Sequence, residues 1–258
     1  MNADYHAHTT YSDGYFPESM VGAASEAGLA GIGLADHCNV SEHPTGQAER
    51  RLKGFNLDLT YERRRDAIER MREAFAIEIY DAVEMDYKPR DEERIADFLD
   101  TAGFEYAIGS VHEIEGVNVH SADPFRGRPR AEREAVVDGY FEDLERLVRS
   151  GLFEIAAHID IVERNEALRG LATEEHYRQI AAALADSRTV PEINAGRVTA
   201  EYGCFHPSDP FLDVLAEYDV RVTVGTDAHH PSQLRERVGL LRDALGERGL
   251  EPVSPFDP

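Results

Sequence analysis

The stretch Asp4-Tyr5-His6-Ala7-His8 carries two imidazoles at a spacing of two. In an extended strand alternate side chains share a face, so His6 and His8 stand together with their lone pairs available to one cation. Such a pair is half a site for zinc, manganese or iron. The other half is offered further on. Asp36-His37, Glu84, His112 in Ser110-Val111-His112, His158-Ile159-Asp160 and Asp227-Ala228-His229 each follow a short apolar run that reads as a strand. Carboxylates and imidazoles gathered at successive strand ends point to a centre holding several cations.

Those strand ends have to be brought together by the elements between them. Thr9 to Gly14 is a polar loop with an Asp-Gly turn, and Pro17 opens a helix striped by Met20, Val21, Ala24 and Ala27 and closed at Gly28. Ile32–Ala35 is a second strand, and Cys38 to Asp58 reads as the longest irregular segment, of the kind that forms a binding loop. Tyr61–Ala74 is a charged helix, Ile77–Glu84 a third strand, and Asp91 caps a helix bearing Ile95, Phe98 and Leu99. Phe104–Gly109 is strand four. A second loop through Asn118, His120, Asp123, Phe125 and Arg126 leads to a helix from about Arg130 to Ser150, closed by Gly151.

Strand five, Phe153–Ala157, delivers His158; a helix spans Thr173–Ala185; strand six, Thr189–Ile193, delivers Asn194, with Arg197 just beyond. Helix Pro210–Tyr218, strand seven Val220–Val224 and helix Pro231–Leu245 complete seven strand-then-helix units. Such alternation predicts parallel strands sheathed by helices, with functional groups at the strands' carboxyl ends. The expected fold is α/β, a distorted seven-stranded (β/α)7 TIM-like barrel in one domain over residues 1–258.

The bulk composition narrows the function classes. Acidic residues number 50 against 27 basic ones, for a net charge of -23, and lysine occurs only at positions 53 and 88. Self-repulsion on this scale calls for screening, so we expect a protein adapted to high salt. A nucleic-acid polymer is not an expected partner, because phosphate backbones are held by clustered Lys and Arg. The N-terminus has no basic and apolar leader and no stretch has the apolar length of a membrane span, so the expectation is cytoplasmic with no membrane contact. Cys38 and Cys204 read as buried free thiols.

The ordered set His6-x-His8, Asp36-His37, Glu84, Gly109-Ser110-Val111-His112, His158-x-Asp160 and Asp227-x-His229 resembles the polymerase and histidinol phosphatase (PHP) superfamily. With Glu192-Ile193-Asn194 added, it looks most like the stand-alone histidinol-phosphate phosphatases of that group. The resemblance runs over almost the whole chain, in motif order. It implies a distorted seven-stranded barrel with three divalent metals, of zinc, manganese or iron. By the same resemblance His6, His8, Glu84 and Asp227 would hold the first, Glu84 with His112 and His158 the second, and Asp13, His37 and His229 the third. Asp13 stands where relatives can carry His in the loop after H-x-H.

Chemistry leads to a similar place. Clustered divalent cations can acidify water and clamp the oxygens of an in-line phosphoryl displacement. Arg197 is the candidate phosphate clamp, and His206 or His229, beside Asp227, the candidate to orient or protonate the leaving oxygen. Asp160 reads as an orienter of His158, and Asp36 of His37. His43, His120, His176 and His230 read as loop or solvated residues, His43 and His120 with possible access to substrate; Tyr15, Phe16 and Phe125 read as core. The expected activity is release of inorganic phosphate from a small phosphomonoester, histidinol phosphate first, with nucleotides or nucleoside bisphosphates as the alternative and a non-catalytic metal-binding protein as the third reading. An amidohydrolase would bridge its metals with a modified lysine, and neither Lys53 nor Lys88 ends a strand.

Overall fold

The structure is a computed structural model that describes residues 1–256; the last two positions of the expected domain lie outside the described residues. Strand β1 (Ala3–Ala7) is followed by α1 (Pro17–Glu26), β2 (Gly31–Cys38), α2 (Pro44–Lys53), α3 (Leu57–Ala74) and β3 (Glu78–Asp86). Then come α4 (Glu92–Ala102), β4 (Tyr106–Ser110), a hairpin of β5 (Glu113–Ile114) and β6 (Val117–Asn118), α5 (Asp123–Arg126) and α6 (Arg130–Ser150). The chain continues through β7 (Ile155–Ala156), α7 (Glu174–Ala185), β8 (Val190–Asn194), α8 (Asp209–Glu217), β9 (Thr223–Gly225) and α9 (Pro231–Arg248).

Seven strands form one parallel sheet in the order β1-β2-β3-β4-β7-β8-β9. It curls until its ends meet: Ala7 pairs with Ala228, His8 N donates to Ala228 O at 2.9 Å, and Asp227 N to His6 O at 2.7 Å. The result is the nearly closed α/β barrel expected from the alternation. Register then does the positioning, since His37 of β2 lies directly opposite Glu84 of β3. Helices follow local chemistry: proline opens α1, and α2, α4, α6 and α9 end on left-handed Gly54, Gly103, Gly151 and Gly249. Their apolar faces cover the outside of the sheet, where Met20, Val21, Ile32, Leu34, Leu234 and Val238 form one part of the core.

Several local expectations are corrected. The segment from Cys38 to Asp58 is not irregular, because α2 lies within it; only Gly46 of that helix is buried, so no apolar stripe announced it. α3 starts at Leu57, before Tyr61, and the second long loop contains the β5–β6 hairpin and α5. Asp91 occupies the N-cap of α4 without a side-chain bond. His176 is a helical residue, closing a capping box with Thr173 at the start of α7. Phe125 is core, whereas Tyr15 and Phe16 are exposed, and Cys204 is exposed while Cys38 is buried.

Candidate metal centre

The strand ends converge on Glu84. Its Oε2 lies 3.3 Å from His6 Nε2, 3.5 Å from His8 Nε2 and 2.7 Å from His37 Nδ1. Its Oε1 lies 3.1 Å from His158 Nε2 and 3.5 Å from His112 Nε2. Asp227 Oδ1 is 3.2 Å from His8 Nε2, and Asp13 Oδ1 is 3.2 Å from His229 Nε2 and 3.8 Å from His37 Nε2. All nine residues expected as ligands therefore meet at one mouth of the barrel. Ligand atoms of His6, His8 and Asp227, of His37, Glu84 and His112, and of His8, Asp13, His37 and His229 each fall within 4.8 Å of one another.

Three of the six rings are aimed by what holds their other nitrogen. His6 Nδ1 is 3.0 Å from Glu192 Oε2, His112 Nδ1 is 2.6 Å from Asp86 Oδ1, and His229 Nδ1 is 3.0 Å from Asp227 O. These contacts turn the Nε2 lone pairs inward, the arrangement by which carboxylates and carbonyls fix a metal-ligating histidine. Glu192 can approach His6 because Gly225 lies between them; a Cβ there would sit 2.2 Å from the Glu192 carboxylate. Two of the expected ligands, His158 (φ 31°) and Asp227 (φ 49°), occupy left-handed backbone that side chains rarely adopt, a cost of a kind that concentrates at functional sites.

The residues fit cations. His6 and His8 bring their Nε2 atoms to 3.1 Å, and His112 and His158 bring theirs to 3.2 Å. Bare lone pairs so close repel unless a positive centre lies between them. Glu84 Oε2 is buried without a hydrogen-bond partner, although buried acceptors are nearly always satisfied. Burial, then the neighbouring imidazoles of His229 and His37, push the His8 pKa down to about 4, leaving it a neutral ligand. Burial also works against a charge on Glu84, yet the imidazoles of His37, His6 and His112 outweigh it and hold that carboxyl well below the usual range.

Beside this cluster is a cavity of about 250 Å³ that is also lined by Lys53, Phe55, His120, Arg164 and Arg197. Burial, and then the positive charge of Arg197, pull Arg164 down to about 10. Among the described residues neither Arg164 nor Arg197 has a carboxylate within 4.0 Å, in a chain with 50 acids to choose from. Two guanidiniums without a carboxylate partner, lining the cavity beside the His and carboxylate cluster, have the charge and fork geometry that suit a multiply charged anion.

Arg197 thus lies where expected, and Arg164 was missed. It follows His158 by six residues in the same post-strand segment, so the reasoning that singled out Arg197 applied to it as well. Glu192 belongs to the Glu192-Ile193-Asn194 motif, and its place two before Asn194 on a strand puts both on one face. His206 does not line the cavity: it is buried, its Nδ1 is 2.6 Å from Asp160 Oδ1, and its ring stacks on Tyr202. Asp160 consequently orients His206 rather than His158. Asp36 does not orient His37 either; it accepts from Thr9, Ser12 and Arg64. Of the four remaining histidines only His120 reaches the cavity, where its Nε2 accepts from Arg164 at 3.1 Å; His43 lies outside it, paired with Thr45, and His230 caps α9.

Fold and site together define an α/β barrel hydrolase with a cluster of His, Asp and Glu suited to divalent metal at the carboxyl ends of its strands. The chain belongs to the PHP domain family, whose model matches residues 4–196. A histidinol-phosphatase of Lactococcus lactis is 24% identical over 262 residues, covering 98% of this chain and 93% of that relative. A crystal structure of histidinol phosphate phosphatase from Lactococcus lactis, in complex with Zn, L-histidinol and phosphate, superposes with a TM-score of 0.74 at 22% identity, over 98% of this chain and 95% of that one. A solved structure from Listeria monocytogenes gives a TM-score of 0.74 at 18% identity, over 90% and 96%. These likenesses of structure bear out the expected barrel.

Proposed function

We propose that the chain is a metal-dependent phosphomonoesterase that hydrolyses L-histidinol phosphate to histidinol and inorganic phosphate. The observation that carries the reading is Glu84, surrounded by five imidazoles within 3.5 Å and facing two unpaired arginines. The Lactococcus lactis histidinol-phosphatase aligns with nearly the whole chain and supports this substrate over nucleotides. Residues 1–258 then form one hydrolase domain, and the setting is the cytoplasm.

In this reading His6, His8, Glu84 and Asp227 would hold one cation, Glu84, His112 and His158 a second, and Asp13, His37 and His229 a third, with zinc, manganese or iron as the occupants. When bound, such cations polarise phosphoryl oxygens and acidify water toward neutrality. The protein's own share is orientation and charge. Arg164 and Arg197 grip the non-bridging phosphate oxygens, where negative charge grows as the phosphoryl group transfers. Asp227 and His229 line the cavity and would orient the leaving oxygen there; the Nδ1 of His229 is tied to Asp227 O. His206, sealed against Asp160, takes no part at the reacting atoms.

The test is phosphate release from a panel of histidinol phosphate, nucleoside monophosphates, nucleoside bisphosphates and sugar phosphates, with chelator and with manganese, zinc or iron restored. Fastest turnover of histidinol phosphate, abolished by chelator, supports the reading. Faster turnover of nucleotides replaces the substrate, and no metal-dependent turnover removes the enzyme.

A further inference from the structure

We propose that Asp36, braced by Arg64, is the positioning residue that holds Asp13 in place as a ligand and so governs whether the third cation site fills. This rests on the reading above that assigns Asp13, His37 and His229 to that site. Asp36 immediately precedes His37 on β2 but turns its carboxylate away from that ring, toward the loop that follows β1. Its Oδ1 accepts from Thr9 N at 2.6 Å and Ser12 Oγ at 2.8 Å. Its Oδ2 accepts from Thr9 Oγ1 at 2.7 Å and Arg64 Nη1 at 2.8 Å. With four donors on two oxygens the carboxylate is saturated, which leaves it no lone pair for a metal.

Arg64 makes this anchor rigid. It is a fully buried side chain of α3, and its second arm donates to Asp81 Oδ1 at 2.7 Å and to Ala82 O on the neighbouring strand β3. The guanidinium therefore straps β2 to β3 beneath the loop. Above it, Ser12 N and Gly14 N both donate to Thr9 O, at 3.0 and 2.9 Å, and the turn is pressed so close to β1 that a Cβ on Gly14 would lie 2.3 Å from the His8 backbone. Asp36 thus pins the loop at Thr9 and again at Ser12, one residue before Asp13.

Asp13 needs such help more than the other ligands do. Its side chain is 47% exposed, whereas Glu84 on β3 and His8 just past the end of β1 are 1% and 0% exposed. An exposed carboxylate on an unanchored turn would have to be ordered by the cation itself, and that entropy would be taken from the affinity. The first two sites have orienting carboxylates of their own in Glu192 and Asp86; of their ligands only His8 adjoins a residue that Asp36 holds, and its ring is fully buried. The consequence is selective: loosening the latch weakens the third site and spares the others.

The experiment uses the full chain loaded with manganese or zinc, with metal equivalents counted by mass spectrometry after gel filtration and affinities measured by chelator competition. Asp13→Ala, removing the ligand itself, sheds the most weakly held equivalent. Asp36→Asn weakens that same equivalent about 10–100-fold, the usual cost of losing an orienting group. Ser12→Ala produces a smaller loss in the same equivalent, Ser12→Thr restores it, and the chelator-treated Ser12→Ala protein melts with the wild type. If Asp36→Asn unfolds, the serine pair decides. Wild-type metal affinity in both Asp36→Asn and Ser12→Ala overturns the proposal, as does equal weakening of every equivalent. An Asp13→Ala protein that keeps all its metal overturns the proposal together with the third-site assignment, whereas a negative substrate panel with this metal pattern intact overturns only the phosphatase reading.

Discussion

The Nε2 atoms of His6 and His8 approach to 3.1 Å across one strand end. Two imidazole nitrogens at this separation need a metal or a proton between them. His6 shows that a proton can serve: burial disfavours its charge, but the carboxylates of Glu192 and Glu84 outweigh burial and raise its pKa well above the usual value. Cation binding at this centre is therefore a contest between metal ions and protons.

Chelation should destabilise the fold as well as stop turnover. A cation present at 100 times its dissociation constant adds about 2.7 kcal/mol per site, and about 2–4 °C per kcal/mol is typical at this chain length, so removing one site lowers the midpoint by roughly 5–10 °C. Differential scanning fluorimetry with and without chelator measures it. An unchanged midpoint would count against the cluster as a metal centre.

The pH dependence follows from His37. Burial pulls its pKa down, but the adjacent Glu84 carboxylate and then Asp13 prevail and raise it from 6.5 to about 9. A raised folded-state pKa contributes stability fully present below the unfolded value and lost as pH climbs through the folded one. The metal-stripped protein should thus lose stability between pH 6.5 and about 9, while metal binding, which requires neutral imidazole, strengthens over the same window. The midpoint difference between loaded and stripped protein widens from pH 6.5 to 9; a constant or narrowing difference would refute the competition.

Glu192→Gln isolates one orienting carboxylate. Glu192 is fully buried, holds His6 Nδ1, and accepts from His158 N at 3.3 Å and Asn194 Nδ2 at 2.6 Å. Glutamine keeps its size and removes its charge, so metal affinity or activity should fall about 10–100-fold with the fold retained. Metal titration by chelator competition, beside a circular dichroism spectrum, gives the answer; wild-type affinity would mean that His6 orients itself.

Arg164→Ala and Arg197→Ala should each reduce kcat/KM about 100–1,000-fold, as loss of a preorganised charge at a transferring group does. Lysine at either position should restore only part of this, because a point charge lacks the planar fork of guanidinium. Steady-state kinetics and inhibition by inorganic phosphate follow both effects. Weakened turnover with unaltered phosphate inhibition would place these arginines away from the phosphoryl group.

The convergence of the candidate ligands was legible because their signal is local: an apolar run, then His or carboxylate at the strand's end, repeated in order. Glu84 and His37 needed no more than that, and β2–β3 register then set them side by side. The partners of buried polar groups were not legible in the same way. Asp160 meets His206 and Asp36 meets Arg64 across 46 and 28 residues, and no short-range period encodes which donor a buried carboxylate will find. Helix α2 escaped notice for a different reason, since a helix that buries only Gly46 leaves no apolar face to read. The Thr173–His176 capping box was hidden because histidine stands where Glu or Gln is the usual signal.

Salt should act on the whole surface rather than on the centre. The chain carries 50 acidic and 27 basic residues, so even with every basic residue paired 50 − 27 = 23 acids remain to repel one another. Exposed ion pairs such as Arg130–Glu134 and Arg149–Glu145 contribute little singly, about 0–1 kcal/mol, and screening them costs less than relieving the excess negative charge gains. The screening length shrinks from about 10 Å at 0.1 M to about 3 Å at 1 M, short enough to decouple neighbouring carboxylates. The midpoint should therefore rise as potassium chloride goes from about 0.1 to 1 M, by a similar amount in loaded and chelator-treated protein. Because the argument concerns net charge, replacing a few surface glutamates distant from the cavity with lysine should flatten the rise without altering kcat. A midpoint insensitive to salt would separate the acidic surface from stability and withdraw the proposal of adaptation to high salt.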